Sequence, residues 1–513
     1  MNDDATKSVW RIEADSEAAT AAIAADLASL LRGGDVVALS GDLGVGKTVF
    51  ARGLIRAIAK DPAMEAPSPS FTLMQVYEGD YGKIVHADFY RIEAVHELAE
   101  LGWEDVVQDA IVVVEWPERS KEIMDADHLD VALSYASEIG PNARIVTIAG
   151  HGAFAKRLEA FKSLREFLRQ AGWDDAHRAF LQGDASSRSY ETLTRPDGGR
   201  AILMISPARP DGPPIRFGRS YSAIARLAEN IRAFVAVAEG LAAQGLSAPK
   251  IIARDLDAGL AIVEDLGREG LVDADGPIPE RYEQAVEALA LLHSRSLSNV
   301  LPLSEGGIYR IPPYDIDALL IEVELLLDWY VDRVARIIVP SGARAVFLKL
   351  WRQILSECST AGSTWTLRDF HSPNLLWLPE REGVRRVGMI DFQDCVMGHP
   401  AYDVVSLTQD ARVSVPDELE IRLIASYAKK RRELDEAFEM ASFARAYAIL
   451  GAQRATKILG IFARLDQRDG KPQYLAHMPR VQRYLMKSLR HPALNDIARW
   501  YANHLPQVFA DGA

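Results

Sequence analysis

Apolar residues follow two kinds of pattern along the first third of this 513-residue chain. Residues 35–40 form a short, mainly apolar run, as expected of a buried strand. Residues 49–59 carry apolar side chains at helical spacing, and an alanine-rich helix is predicted before them, over residues 16–31. Further strands are predicted over residues 73–77, 83–87 and 111–114. The alternation of strands and helices predicts an α/β domain.

The rest of the chain shows a group of short strands followed by long helices. Strands are predicted over residues 179–181, 189–193, 201–205 and 260–263. Amphipathic helices are predicted over residues 222–241, 283–293 and 316–336. This order predicts an α+β domain made of a strand lobe and a helical lobe. Residues 260–267, an apolar strand that ends in an acidic pair and a glycine, suit a hinge between the lobes.

Composition narrows the class of protein. The chain has 58 Lys plus Arg against 72 Asp plus Glu, a net charge of −14. An acidic chain is not by itself a strong nucleic-acid binder, so contact with RNA is expected only through a partner. Two cysteines exclude a disulfide framework and a four-cysteine zinc site. Because no long uncharged apolar run is present, we expect no membrane span and a cytoplasmic protein. The predicted domains are residues 1–160 and 161–513.

A glycine-rich segment joins the first buried strand to the helix after it. It reads Gly-Asp-Leu-Gly-Val-Gly-Lys-Thr and matches the phosphate-binding P-loop pattern. The residues predicted to bind ATP here are Gly41, Asp42, Gly44, Val45, Gly46, Lys47 and Thr48. Lys47 would reach the outer phosphates, and the Thr48 hydroxyl would coordinate Mg²⁺. The alternative is a turn that matches by chance, which the correct strand and helix on either side disfavour.

Two acidic residues stand at the ends of predicted strands in the same domain. Glu115 closes the strand at residues 111–114, where P-loop ATPases place a metal or water ligand, and Asp88 follows the strand at residues 83–87. Thr72 ends a stiff, hydroxyl-bearing segment at residues 67–72, which would lie near the γ-phosphate, and Thr72 is predicted to bind ATP there. The alternatives are a surface or capping role for Asp88 and simple solvation for Glu115. Together with the P-loop, Asp88 and Glu115 are predicted catalytic residues, and Glu115 a metal ligand.

These motifs, in this order over roughly residues 14–158, resemble the TsaE type of ATPase, the small P-loop subunit of the bacterial machinery for tRNA threonylcarbamoyladenosine. The resemblance implies that Lys47 and Thr48 bind nucleotide and Mg²⁺, that Glu115 is a metal or water ligand, and that Asp88 and Thr72 are functional. It also implies that the partners are the transferase subunits of that machinery, with tRNA contacted only indirectly. Family members usually have threonine where Ser70 stands.

A second set of polar residues lies in the predicted helical lobe. Asp369 and Asn374 are separated by four residues, and a short hairpin and a buried strand lead from them to Asp391. This is the spacing of a protein-kinase-like catalytic core. Asp369 would accept the proton of the attacking hydroxyl, and Asn374 and Asp391 would hold Mg²⁺ against ATP. The alternative is a capping aspartate followed by an unrelated aspartate at a strand end.

Two further segments are predicted to contact ATP in this domain. The polar loop at residues 183–188 lies between predicted antiparallel strands, where kinases place a loop over the phosphates, and Gly183 and Ser186 are its predicted ligands. Glu264 lies at the predicted hinge, where adenine would bind. The alternative for the loop is a simple turn.

The second set of motifs resembles the aminoglycoside phosphotransferase and choline kinase superfamily over roughly residues 165–510, and within it the anomeric kinases of N-acetylmuramate and N-acetylglucosamine. The resemblance implies ATP-dependent phosphorylation of a sugar hydroxyl in cell-wall salvage. The predicted fold is therefore an α/β P-loop NTPase domain followed by an α+β protein-kinase-like, two-lobed domain.

The sequence departs from the superfamily pattern at two places, which leaves alternatives open for the function of this domain. Leu367 stands where superfamily members often have histidine, and the strand at residues 201–205 lacks the lysine that binds ATP phosphates in protein kinases. Arg188 or Arg200 is a candidate replacement for that lysine. The alternatives to a bifunctional enzyme are a nucleotide-gated partner-binding protein with a degenerate kinase domain, and a kinase for another acceptor such as an amino alcohol or an antibiotic.

Overall fold

The computed structural model describes residues 8–79, 82–92, 103–119, 127–181, 188–208, 212–304, 306–359 and 363–506. The chain divides into two compact units, Met1–Asp174 and Asp175–Ala513. Each unit is described by itself below. Within the described part of the chain, every helix is too short or too polar to cross a membrane.

The first unit is built on a seven-stranded sheet in the order β1-β7-β6-β2-β5-β4-β3. Its strands are β1 Ser8–Ala14, β2 Val36–Ser40, β3 Met74–Gly79, β4 Gly82–Asp88, β5 Ile111–Glu115, β6 Leu129–Tyr135 and β7 Arg144–Gly150. The four central strands, β6, β2, β5 and β4, are parallel, and the strands outside them pair antiparallel. Its helices are α1 Glu17–Ala28, α2 Lys47–Ala59, α3 Trp103–Val107 and α4 Ala153–Gln170.

Burial explains why these segments fold as they do. All five residues of β5 are buried, as a central strand covered on both faces requires. The apolar stripe of α2 is buried against the sheet, including Phe50, Leu54 and Ile58. Because parallel strands end on the same side of the sheet, the residues that follow β2, β4 and β5 lie close together. In the register, Glu115 lies opposite both Leu39 and Asp88.

The second unit has a five-stranded antiparallel sheet in the order β11-β12-β10-β9-β8. These strands are β8 His177–Leu181, β9 Ser189–Thr194, β10 Arg200–Ile205, β11 Ile251–Asp255 and β12 Leu260–Glu264. Short two-stranded ladders follow, formed by β13 Val272–Asp273, β14 Gly276–Pro277, β15 Val300–Pro302, β16 Ile308–Arg310, β17 Thr364–Thr366, β18 Leu375–Trp377, β19 Val387–Met389 and β20 Val396–Gly398. The sheet and the helices below confirm the predicted α+β, kinase-like class.

The helices of the second unit surround a single large apolar core. They are α5 Tyr221–Ala225, α6 Ile231–Ala243, α7 Pro279–His293, α8 Ile316–Leu325, α9 Ser341–Ser359, α10 Ala401–Thr408, α11 Asp417–Leu434, α12 Met440–Asp469, α13 Met478–Leu489 and α14 Asn495–His504. Helix α8 continues as a π-helical segment, Leu326–Ala335. The 30-residue α12 packs against α8, α10 and α13, which places it at the centre of the helical lobe.

The prediction of one continuous helix over residues 222–241 is wrong. The helix is broken between α5 and α6, where Arg226 has a φ of +59° and Asn230 caps the start of α6. The carbonyls of Ala225 and Arg226 accept hydrogen bonds from the guanidinium of Arg368. The break therefore exposes backbone groups that bind a distant loop, a demand that the apolar pattern of the segment itself does not contain.

Candidate active sites

The P-loop connects β2 to α2 through positions that require glycine. Gly41 has a φ of +131°, and a Cβ there would lie 2.3 Å from the carbonyl oxygen of Leu133. Gly44 and Gly46 also have positive φ values. These conformations favour glycine, because side chains at positive φ are strained. The residues predicted from the motif thus form a tight loop at the amino end of α2, where backbone N–H groups favour an anion.

Lys47 opens α2 and is buried beneath this loop. Its Nζ donates hydrogen bonds to the carbonyls of Gly41, at 2.7 Å, and Asp42, at 3.0 Å. Nζ also lies 3.6 Å from the centre of the Trp116 ring. Burial lowers the pKa of Lys47, and the nearby carboxylates, first of all Glu115, oppose that shift. The loop residue Val45 accepts a hydrogen bond of 2.7 Å from Arg144 Nε.

Thr48 and Glu115 meet at the carboxyl edge of the sheet. The Thr48 hydroxyl lies 3.0 and 3.1 Å from the two carboxylate oxygens of Glu115. Both residues offer oxygen atoms, the ligand type that Mg²⁺ prefers, and they are close enough to share one ion. Glu115 is buried, and a bound cation would supply the charge that balances its carboxylate there.

His86 is a site residue to which the sequence assigned no role. It lies on β4, fully buried, with Nε2 3.0 Å from Glu115 Oε1. The contact helps to orient the carboxylate, and Thr48 contacts the same oxygen. The available signal was a histidine inside the apolar run of β4, whose register places it opposite Val113 of β5.

Asp88 is held by the hydroxyl-bearing segment before β3. Its Oδ2 accepts hydrogen bonds from Ser68, at 2.6 Å, and Ser70, at 3.0 Å. The backbone N–H of Tyr90 donates to Oδ1 at 3.0 Å. Thr72 is exposed, and the hydroxyls that reach Asp88 belong to the two serines instead. The substitution of serine at position 70 therefore keeps a working hydroxyl.

In the second unit, the loop over residues 367–374 brings the predicted site residues Asp369 and Asn374 close to Asp391. Asn374 Nδ2 donates to the carbonyl of Asp369 at 3.0 Å, and the N–H of Ile390 donates to the carbonyl of Asn374 at 3.0 Å. The β18–β19 ladder pairs Leu375 with Met389, which holds the residues before and after it in register. Because the Asn374 amide nitrogen is used internally, its oxygen is the atom suited to a cation.

Helix α10 fixes the backbone of this loop. The carboxylate of Asp403 is buried and accepts the N–H groups of Leu367, at 2.7 Å, and Arg368, at 2.9 Å. Ser406 donates to the carbonyl of Arg368 at 3.1 Å. Leu367, the residue that replaces the common histidine, is buried in the apolar core.

A buried charge cluster supports the loop from below. Arg368 contacts the carboxylate of Glu322 on α8, and Lys457 Nζ on α12 lies 2.8 Å from the same carboxylate. Gln453 donates to Glu322 at 3.0 Å, and Tyr314 donates to it as well. Burial alone would raise the pKa of Glu322, but the two cations outweigh it and hold that pKa below its usual value. The signal for Glu322 was a carboxylate inside an apolar helical run.

Asp391 has two polar neighbours. Gln393 Nε2 lies 2.7 Å and Arg188 Nη1 3.3 Å from its Oδ1. Desolvation, together with the charge of Asp369, raises the pKa of Asp391. A divalent cation would relieve that repulsion, and the oxygens of Asn374 and Asp391 suit Mg²⁺.

The other residues predicted to contact ATP in the second unit lie in different surroundings. Gly183 and Ser186 lie outside the described residues. Glu264 ends β12, accepts the N–H of Lys250 at 3.2 Å and pairs with Arg381 at 2.5 Å. Arg200 pairs with Asp265 next to it, at 3.1 Å, rather than with the catalytic loop.

Comparisons with known proteins match the two units separately. The family described as threonylcarbamoyl adenosine biosynthesis protein TsaE matches residues 14–144, and the phosphotransferase enzyme family matches residues 177–437. The N-acetylmuramate/N-acetylglucosamine kinase of Caulobacter vibrioides is 38% identical over 351 residues, which are 66% of this chain and 95% of that protein.

Two other relatives give the same picture. The corresponding kinase of Pseudomonas aeruginosa is 32% identical over 351 residues, covering 67% of this chain and 94% of that protein. The tRNA threonylcarbamoyladenosine biosynthesis protein TsaE of Aquifex aeolicus is 36% identical over 119 residues, covering 23% of this chain and 85% of that protein. The alignments therefore cover at least 94% of these two kinases and 85% of this TsaE protein.

Proposed function

The chain belongs to the TsaE family in its first unit and to the phosphotransferase enzyme family in its second, and from this we propose that it is bifunctional. The second unit phosphorylates a hydroxyl of N-acetylmuramate or N-acetylglucosamine with ATP, in cell-wall salvage. The first unit hydrolyses ATP in support of tRNA threonylcarbamoyladenosine formation at position 37. We propose that both reactions take place in the cytoplasm.

The juxtaposition of Asp369, Asn374 and Asp391 carries the kinase proposal. Asp369 takes the proton from the sugar hydroxyl as its oxygen attacks the γ-phosphorus of ATP. The bond between that phosphorus and the bridging oxygen breaks, and ADP leaves with the electron pair. Mg²⁺, when bound by Asn374 and Asp391, neutralises charge on the phosphates. Asp403 and the Glu322 cluster keep the loop in place for this step.

The decisive experiment measures phosphate transfer from Mg-ATP to the two sugars, in the wild-type chain and in Asp369→Asn. Loss of a general base costs about 10²–10⁴-fold in rate. Asp257→Asn is the matched control, since Asp257 is exposed and remote in sequence from the catalytic loop. Activity retained in Asp369→Asn would exclude that residue as the base.

The same assay separates the other acceptors. Transfer to an amino alcohol or an antibiotic, but to neither sugar, would keep the kinase and change its substrate. No transfer to any acceptor, with ATP bound, would favour a degenerate kinase domain and a partner-binding role.

The contact between Thr48 and Glu115 beside the buried Lys47 supports the ATPase proposal. Glu115 positions the metal or the attacking water, and Asp88 lies on the neighbouring strand. The partners are the transferase subunits of the tRNA-modification machinery, which contact tRNA themselves.

The test is a reconstituted tRNA-modification assay containing those transferase subunits. Glu115→Gln should lower both ATP hydrolysis and modified tRNA by about 10²-fold or more, since electrostatic groups at phosphoryl-transfer sites have effects of this size. Glu138→Gln, at an exposed position, is the control. Unchanged tRNA modification in Glu115→Gln would contradict the proposal.

A further inference from the structure

Three potential metal ligands lie together on the first unit, and neither proposed reaction uses them. They are His128, Asp130 and His151. Residues 128 and 130 project from the same face of the chain as it enters β6, because side chains alternate along a strand. The N–H of His151 donates to the carbonyl of His128 at 3.0 Å, which continues the antiparallel register of β6 and β7.

The geometry of the three side chains is close. Asp130 lies between the imidazoles, with Oδ1 3.3 Å from His128 Nε2 and Oδ2 2.8 Å from His151 Nε2. The two rings are stacked, with centroids 4.4 Å apart and an interplanar angle of 11°. One donor atom from each residue lies within 4.8 Å of the other two. Zinc ligands lie about 2.0–2.2 Å from the ion, so these donors need little movement to share one.

The cluster is separate from the nucleotide site. Strands β6 and β2 are parallel, with Leu129 opposite Val37 near the start of β2. The P-loop follows the end of β2, so the cluster lies at the opposite end of the parallel strands. His128 is buried, whereas Asp130 and His151 keep 28% and 23% of their side-chain surface exposed. A cation could therefore enter from solvent and retain a water ligand.

We propose that His128, Asp130 and His151 bind a divalent transition-metal ion of the Zn²⁺ class. Two imidazole nitrogens and one carboxylate suit Zn²⁺, Co²⁺ and Ni²⁺, whereas Mg²⁺ prefers oxygen ligands alone. The carboxylate of Asp127 lies against Gly152, beside His151, and adds negative charge at the same place. The ion ties the start of β6 to the end of β7, just before α4 begins.

The experiment titrates the full-length chain, without a histidine tag and without nucleotide, with Co²⁺ in the presence of excess Mg²⁺. The ligand-field absorption of Co²⁺ shifts and gains intensity when imidazole nitrogens replace water ligands and the coordination number falls. We expect one Co²⁺ per chain, displaced by Zn²⁺. Asp130→Asn and His151→Gln should each weaken binding at least about tenfold, as loss of metal-site groups does. His177→Gln, which removes an exposed histidine of β8, should leave it unchanged.

Two outcomes would overturn the proposal. A Co²⁺ spectrum that stays that of the hydrated ion at millimolar metal would leave the three side chains as a hydrogen-bonded network only. Equal binding by the wild-type chain, Asp130→Asn and His151→Gln would place the metal elsewhere. Circular dichroism of both variants shows whether they keep the fold.

Discussion

At the scale of single residues, the kinase site places two non-glycine residues in a strained backbone conformation. Arg368, just before Asp369, has a φ of +67°, and Asp391 has a φ of +57°. The left-handed region costs roughly 1–2 kcal/mol for a residue with a side chain. Asp403 accepts the N–H of Arg368, and Gln393 contacts the carboxylate of Asp391. These bonds offset the strain, which lies at a proposed metal ligand, Asp391, and directly before the proposed base, Asp369.

Arg188 is the residue that we expect to replace the missing strand lysine. Its guanidinium lies beside Asp391, whereas Arg200 is largely exposed and pairs with Asp265. Arg188→Met should raise the KM for ATP in sugar phosphorylation by about tenfold, the size expected for one charge-assisted hydrogen bond. Arg200→Met is the matched control and should change KM less than twofold. Equal effects of the two substitutions would show that neither arginine has a special role.

Some site residues could be predicted from the sequence and others could not. The loop from Gly41 to Thr48 has a fixed spacing, because a local turn and a helix start impose it. His86 and Glu322 have no such spacing, since each acts through a partner distant in sequence, Glu115 or Arg368. A polar residue in an apolar run marks both positions, but the run does not identify the partner.

At the scale of elements, periodicity predicted most strands and helices well, and it failed where a tertiary contact overrode it. Helix α2 follows its apolar stripe, because packing of the stripe against the interior of the first unit is enough to bury these residues. The α5–α6 break does not follow the stripe over residues 222–241, because Arg368 takes the carbonyls of Ala225 and Arg226. A local pattern contains no information about that requirement.

The start of α10 should make the kinase unit sensitive to acid. His399 Nδ1 accepts the N–H of Ala401 at 3.1 Å, so protonation of this nitrogen breaks a hydrogen bond to the first residue of the helix that carries Asp403. Burial, with the nearby His293 and Arg431, lowers the pKa of His399 to about 4. The unfolded chain therefore binds the proton first, and stability is lost as the pH falls from about 6.5 toward 4.

Urea unfolding of the full-length chain at pH 7 and pH 5 measures this effect. Between pH 7 and pH 5, protonation linked to His399 should lower the free energy of unfolding of the kinase unit by about 1–2 kcal/mol. Asparagine can cap the same N–H without titrating, so His399→Asn should lose less stability than the wild-type chain. Parallel losses in the two proteins would show that other groups cause the acid sensitivity.

At the scale of the whole molecule, the chain combines two phosphoryl-transfer units that have separate interiors. The main apolar core of the first unit draws its buried residues from between Ala24 and Phe161. The core of the second draws its buried residues from between Ile202 and Leu505. Within the described residues, the two cores share no member, so each unit has its own source of stability.

Separate cores predict separate activities. Lys47→Ala should abolish ATP hydrolysis by the P-loop unit and leave sugar phosphorylation within about twofold, because the hydrogen bonds of Lys47 to Gly41 and Asp42 and its contact with the Trp116 ring all lie within the first unit. Both rates are measured on the same full-length preparation. If both activities disappeared while the circular dichroism spectrum stayed the same, the two nucleotide sites would not be independent.

The position of Trp116 has an optical consequence. An ammonium group 3.6 Å from the centre of an indole ring perturbs the excited state of that ring, so the emission of Trp116 depends on where Lys47 points. When a nucleotide draws Lys47 toward its phosphates, that emission should change in wavelength and intensity. The chain has nine tryptophans, and subtraction of the Trp116→Phe spectrum isolates this one. An identical nucleotide response in Trp116→Phe would mean that Lys47 keeps its place against the ring. Otherwise the first unit contains its own fluorescent reporter of an occupied P-loop.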